Sequence, residues 1–157
     1  LDYYATQIFI ARSSDWPVKN YALWRTIHEG DSDYADGKWR WMLFDSDSQA
    51  LKASLVNDDT LNYVIDYDKM FASLWANETF RNDFKDRILD IADNNFSKAK
   101  VDKMFESLEI EMTPRMSKSW ARFYGKDNNK LEYFQGKLDS YHEFLINRKS
   151  VIEGWFE

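Results

Sequence analysis

With 157 residues, 44% of them hydrophobic and 31% charged, the chain has the length of one domain and the balance of an ordinary folded globular protein. A net charge of −6 argues against nucleic-acid binding, which needs concentrated Lys and Arg, and against an anionic membrane surface. There is no cysteine, which excludes disulfides, thiolate zinc sites and Cys nucleophiles, and no apolar run approaches the roughly 20 residues that span a bilayer.

The chain opens without a start Met or a cap. Leu1-Asp2-Tyr3-Tyr4 leads straight into Ala5-Thr6-Gln7-Ile8-Phe9-Ile10-Ala11, so it reads as the interior of a longer protein. Tyr4, Ile8 and Ala11 recur at steps of four and three, and they predict a largely buried helix over 2–12. Residues 13–19 form a loop, in which Pro17 biases Trp16 toward extended backbone. Two β-rich runs, 20–27 and 38–44, flank a polar stretch with two Gly, the pattern of a hairpin. Centred near Ser32 and Asp33, that hairpin sets Asn20 opposite Asp45.

From there the pattern is helical. Residues 49–66 are ambiguous. A short helix over 67–76 turns Met70, Phe71 and Leu74 inward, and a second, over 79–94, aligns Phe80, Phe84, Ile88 and Ile91. Ser97 caps a third helix carrying Val101, Met104, Phe105, Leu108 and Met112, which Pro114 should kink or restart before it reaches Tyr124. A turn at 125–129 precedes a last helix over 130–154. Its stripe of Phe134, Leu138, Tyr141, Leu145, Arg148 and Ile152 packs on the earlier helices. The predicted fold is mainly α with one β-hairpin, a single domain over 1–157.

The chemistry-bearing residues gather around the hairpin. Asp15 and Asn20 have the spacing D-x4-N, and Asp45 and Asp47 form a D-x-D at the hairpin's far end. Phosphoryl transfer uses such a set. One Asp orients or deprotonates the acceptor hydroxyl, while an Asn five residues on and an Asp beyond a hairpin hold metal. Mg²⁺ takes hard oxygen ligands, usually one or two carboxylates plus phosphates. By itself D-x4-N is unspecific. Asp15 capping a turn and Asn20 serving loop backbone is the plainer account of it. Lys19, beside Asn20, reads first as a solvated loop lysine, and it is also the candidate for touching a phosphate of a bound nucleotide.

Other acidic and aromatic features are weaker. Asp31-x-Asp33-x-x-Asp36 and Asn57-Asp58-Asp59 are candidate Ca²⁺ sites, the first lacking the spacing and terminal Glu of an EF-hand. His28 and His142 read as surface or helix-face residues. The seven Trp are spread over several segments and form no evident sugar platform, although paired carboxylates keep glycoside hydrolysis as the alternative enzyme class.

The order Asp15-Trp16-Pro17, Asn20, Trp24-Arg25 and Gly37-Lys38-Trp39-Arg40-Trp41-Met42-Leu43-Phe44-Asp45-Ser46-Asp47 resembles the CotH (spore coat protein H-like) kinase family. The helical stretches Leu74 to Arg81 and Phe84 to Arg87 resemble it too, so the likeness covers nearly the whole chain and is strongest over 1–47. The resemblance implies an atypical protein-kinase C-terminal lobe, ATP as donor with Mg²⁺, and Ser or Thr of a coat, cell-surface or secreted protein as acceptor. It assigns Asp15 to catalysis and Asn20 and Asp45 to the metal, with Asp47 in reserve. No G-x-G-x-x-G loop and no strand with an ATP-anchoring Lys occurs in the chain, so the nucleotide-clamping part is expected upstream and the piece alone is expected to be inactive. Ser46, Ser48 and Gln49 are more polar than the family's usual residues there. That keeps a noncatalytic helical interaction or scaffold module open as the other reading.

Overall fold

The computed structural model describes residues 1–13, 15–46, 50–126 and 129–157. Six α-helices and one antiparallel pair of strands are present among them. The chain packs as two compact units, one of residues 1–50 and 59–88 and one of residues 51–58 and 89–157.

In the first unit, α1 (Asp2–Phe9) buries Tyr4, Ala5, Ile8 and Phe9. It stops three residues earlier than its apolar pattern predicts. Ala11 takes a left-handed φ of 54°, Arg12 N–H donates back to the Gln7 carbonyl and Ala11 N–H to that of Ile8. These are the two bonds of a Schellman ending, with alanine where glycine is usual. The reversal turns the chain so that Arg12 is buried instead of continuing the helix.

The strands β1 (Ala22–Trp24) and β2 (Arg40–Met42) pair with Leu23 opposite Trp41. Extended outward, this register sets Asn20 opposite Phe44, one residue short of the expected Asp45. Trp41 lies flat on Tyr3 at 5.0 Å and meets Tyr4 edge-on, which seats the hairpin on α1. On the hairpin Arg25 lies over Trp39, and Arg40 over Trp24 and Tyr34, on rings that stay partly open to solvent.

The helices α2 (Thr60–Tyr67), α3 (Lys69–Trp75) and, as far as Ile88, α4 (Glu78–Asp90) complete this unit. Asp68 sits at the α2–α3 corner. Its Oδ1 accepts the Met70 and Phe71 N–H groups that begin α3, and its Oδ2 accepts the Tyr4 hydroxyl at 2.6 Å. Burial and the Asp68 carboxylate together hold the Tyr4 phenol well above its usual ionisation range. Phe71 is the only fully buried side chain of α3 and packs on Tyr4, Trp75, Phe80 and Phe84. Met70 and Leu74, expected inward, are exposed because a seven-residue helix held at its start by Asp68 presents only one side chain to the core. Arg87 of α4 closes on Asp2 in the first turn of α1 at 2.7 Å.

The second unit begins with a 3₁₀ turn, Ala53–Leu55. It resumes at Leu89 and passes through a wide turn, Ile91–Asn95, into α5 (Lys98–Tyr124) and α6 (Lys130–Gly154). The helix α5 runs uninterrupted through Pro114, which does not restart it. Proline removes a single backbone bond there, and packing along α6 holds the turns on either side. Met104 and Leu108, expected inward, are exposed, and Val101 alone of the α5 stripe is fully buried. In α6 the predicted face holds at Leu145, Arg148 and Ile152, joined by Phe144. The centre of the predicted 125–129 turn, Asp127 and Asn128, lies outside the described residues.

Arg148 is fully buried. It donates to the carbonyls of Val56 at 2.6 Å and Asp58 at 2.9 Å, with its guanidinium against Trp155 and Phe144. It therefore fastens the segment 51–58 to α6. Replacing it by methionine keeps the bulk and removes these donors from two carbonyls. Arg148→Met should lower the unfolding free energy by about 2–4 kcal/mol in urea titrations. A loss below 1 kcal/mol would mean that water reaches those carbonyls.

Candidate functional site

Arg12 is the residue from which the site is built. A buried guanidinium has five N–H donors and must find acceptors for them. Arg12 Nε and Nη2 reach Asp15 Oδ1 and Oδ2 at 3.2 and 3.3 Å, a two-pronged grip on one carboxylate. Arg12 Nη1 reaches the Phe44 carbonyl at 2.6 Å and Ser46 Oγ at 3.0 Å. The loop after α1 and the chain leaving β2 are thus held to a single cation. Trp16, also buried, donates its indole N–H to the Tyr3 hydroxyl at 2.9 Å, and the Trp16–Pro17 peptide is cis.

Asn20 closes the arrangement. Its Nδ2 donates to Asp15 Oδ2 at 2.9 Å and to Asp45 Oδ2 at 2.5 Å. One amide therefore bridges two carboxylates that lie 30 residues apart in the chain. Asn20 and Asp45 both hold left-handed backbone, at φ 52° and 54°, which Asn and Asp tolerate better than most residues. Burial pushes the Asp15 carboxyl up, but the bonds from Arg12 and Asn20 outweigh it and leave Asp15 below its usual range. Asp15 is ionised at neutral pH.

Asp15, Asn20 and Asp45 are thus brought together, as their sequence pattern predicts. Asp47 lies outside the described residues. The Asp45 carboxylate and the Asn20 amide oxygen are hard donors of the kind that suits a Mg²⁺ completed by phosphate oxygens, while the Asp15 carboxylate is taken up by Arg12. No cluster of three or more His, Cys, Asp or Glu able to hold a metal occurs among the described residues. To offer Oδ1 to a cation placed between the carboxylates, the Asn20 amide would turn over.

Lys19 is exposed, and its backbone N–H donates to the Asp15 carbonyl. His28 is exposed, and His142 bonds Asp102 at 2.8 Å on a helix face, so both histidines lie where the sequence puts them. Of the weaker calcium candidates, Asp36 and Asp59 have other employment. Asp36 is gripped by Arg40 through both oxygens, and this, with the Lys38 backbone N–H, drives its pKa far below normal. Asp59 caps α2 through the Asn62 N–H. Arg12 was not singled out by sequence. Its signal there is only an arginine three residues before a candidate aspartate, at the end of an apolar helix.

Since the folded Asp15 pKa is depressed, its contribution to stability is present above the ordinary carboxyl value of about 4 and is lost as pH falls below it. Asp15→Asn should cost about 2–4 kcal/mol at pH 7, because Arg12 stays buried without its counter-charge. The gap between the two proteins should narrow steadily from pH 5 to pH 2 in denaturant titrations. A gap that does not change with pH would remove the ion pair as its cause.

No curated protein and no solved structure gives a significant match to this chain. The model of the family described as CotH kinase protein matches residues 1–152. That span takes in the Asp15, Asn20 and Asp45 cluster and all but the last five residues, and the chain belongs to the CotH kinase family.

Proposed function

We propose that the protein carrying this chain is an atypical ATP-dependent protein kinase, acting on Ser or Thr hydroxyls of coat, cell-surface or secreted proteins. The observation that carries the reading is the Asn20 amide joining Asp15 to Asp45, within a chain matched to the kinase family over nearly its whole length. Asp15 is the residue for the acceptor. Held by Arg12 and kept ionised, it is a weak base suited to orienting the hydroxyl, and it takes the proton late in a loose phosphoryl transfer. Asn20 and Asp45, with Asp47 as the alternative, are the residues that would hold Mg²⁺. That ion supplies neutralisation of phosphate charge when bound. Lys19 is free of burial and near enough along the chain to meet a phosphate. Arg12 is a positioning residue, since it acts through Asp15.

A second reading, a noncatalytic interaction or scaffold module, is favoured by the hairpin's exposed apolar side chains, among them Ile27 at 90% and Trp39 at 62%. Binding of Mg-ATP by the full-length protein separates the two.

Asp45→Asn is the informative substitution. Asn accepts left-handed backbone, Asp45 is exposed, and one of two neighbouring negative charges is removed. Folding stability should stay within about 1 kcal/mol, while phosphoryl transfer to protein by the full-length enzyme should fall at least about 100-fold. Melting curves and ATP-dependent labelling read both effects on one preparation. Full activity of Asp45→Asn would move the metal role to Asp47, and equal silence of Asp47→Asn would end the kinase reading.

A further inference from the structure

Next to the Asp15 loop, a cavity of about 280 Å³ opens within the first unit. Its walls are rings: Tyr4, Trp16, Tyr21, Trp41 and Tyr67. Trp16 and Tyr4 are buried and form fixed wall, locked by bonds to Tyr3 and Asp68, while Tyr67 at 61% and Met70 at 46% exposure stand at the mouth. The volume falls just below the roughly 300–1,000 Å³ of small-molecule sites. It suits one side chain better than a nucleotide.

The charged side chains at the cavity sum to zero. Asp68 and Lys69, adjacent in sequence, are of opposite sign, and the Asp68 carboxylate already accepts three bonds, from Tyr4 and from the Met70 and Phe71 backbone. A cationic guest would find the acid occupied and a lysine beside it. An anionic guest would face the Asp68 charge. A planar apolar guest meets ring faces on several sides and the soft Met70 thioether.

Position supplies the occupant. Trp16 and Pro17, both lining the cavity, are the first and second residues after Asp15, so the pocket wall begins within about 7 Å of that residue along the backbone. An extended peptide advances about 3.3 Å per residue, so two or three residues of a chain presenting a hydroxyl to Asp15 cover the length of backbone that separates Asp15 from the cavity wall. We propose that the cavity is a substrate subsite that receives one large apolar side chain, aromatic by preference, within three residues of the phosphorylated Ser or Thr. This rests on the kinase reading above, and Tyr67 and Met70 are its specificity-determining residues.

Two measurements test it on the full-length protein. In the first, without ATP, N-acetyl-phenylalaninamide, N-acetyl-argininamide and adenosine are titrated separately while the indole N–H resonances of Trp16 and Trp41 are followed. The phenylalanine probe should shift both and bind about tenfold tighter than the other two, and Tyr67→Ala and Met70→Ala, both at exposed positions, should weaken it by about tenfold. No shift of those resonances, or equal or tighter binding of the arginine probe or adenosine, overturns the subsite. In the second, Ser peptides with Phe or Ala at each of the three positions on either side are phosphorylated competitively. A Phe-over-Ala preference of about tenfold in kcat/KM at one position, falling toward unity in Tyr67→Ala, supports the proposal. Phosphorylation with no such preference overturns it while leaving the kinase reading intact. Ring binding with no phosphorylation of any peptide overturns the kinase reading and the substrate role together.

Discussion

A guanidinium taken out of water has to be re-solvated by protein, and most of the first unit's functional geometry follows from that requirement at Arg12. Its donors are met by a carboxylate from the loop after α1 and by a carbonyl and a hydroxyl from the chain leaving β2. Neither segment is regular structure, and neither has a hydrogen-bond ladder of its own to define its path. The arginine takes the ladder's place. Asp15 is oriented by it, Phe44 and Ser46 are anchored by it, and Asp45 between them is carried to the Asn20 amide. The left-handed turn at Ala11 makes the burial geometrically available. A longer α1 would have sent the side chain elsewhere.

Aromatic residues supply the rigid surroundings. Tyr3 receives the Trp16 indole N–H and stacks on Trp41, so the loop, the helix and the hairpin meet on one phenol. Tyr4 ties α1 to the α2–α3 corner through Asp68 and stacks on Phe71. The rings that raise the aromatic content to 17% thus serve as core and as cavity wall around the candidate site, and on the hairpin as partners for arginines.

Periodicity and turn chemistry made the long elements legible. The helix over 130–154, the hairpin and the convergence of Asp15, Asn20 and Asp45 all follow from spacing, because a two-stranded ribbon necessarily returns distant residues to one place. What spacing does not carry is which apolar face finds a cover. Met70, Leu74, Met104 and Leu108 fit their stripes and remain exposed, since burial depends on a neighbour that no local pattern encodes. The hairpin register was off by one for a similar reason. A ten-residue loop leaves it to side-chain contacts such as Trp41 on Tyr3. Spacing puts Arg148 on the inward face of α6 but does not reveal its acceptors, 90 or more residues away, and Arg12 is illegible as an anchor because, besides Asp15, its acceptors lie 32 and 34 residues off.

The bridging amide of Asn20 has a consequence for the charge balance between the two loops it joins. Two carboxylates brought together ordinarily repel until a cation arrives, which makes such a fold conditional on its ion. Here a neutral side chain lays both of its N–H groups between them, and a buried arginine backs one of them. A neutral donor thus stands where opposed carboxylates would otherwise call for a positive charge, and the two loops are joined by groups of the chain itself.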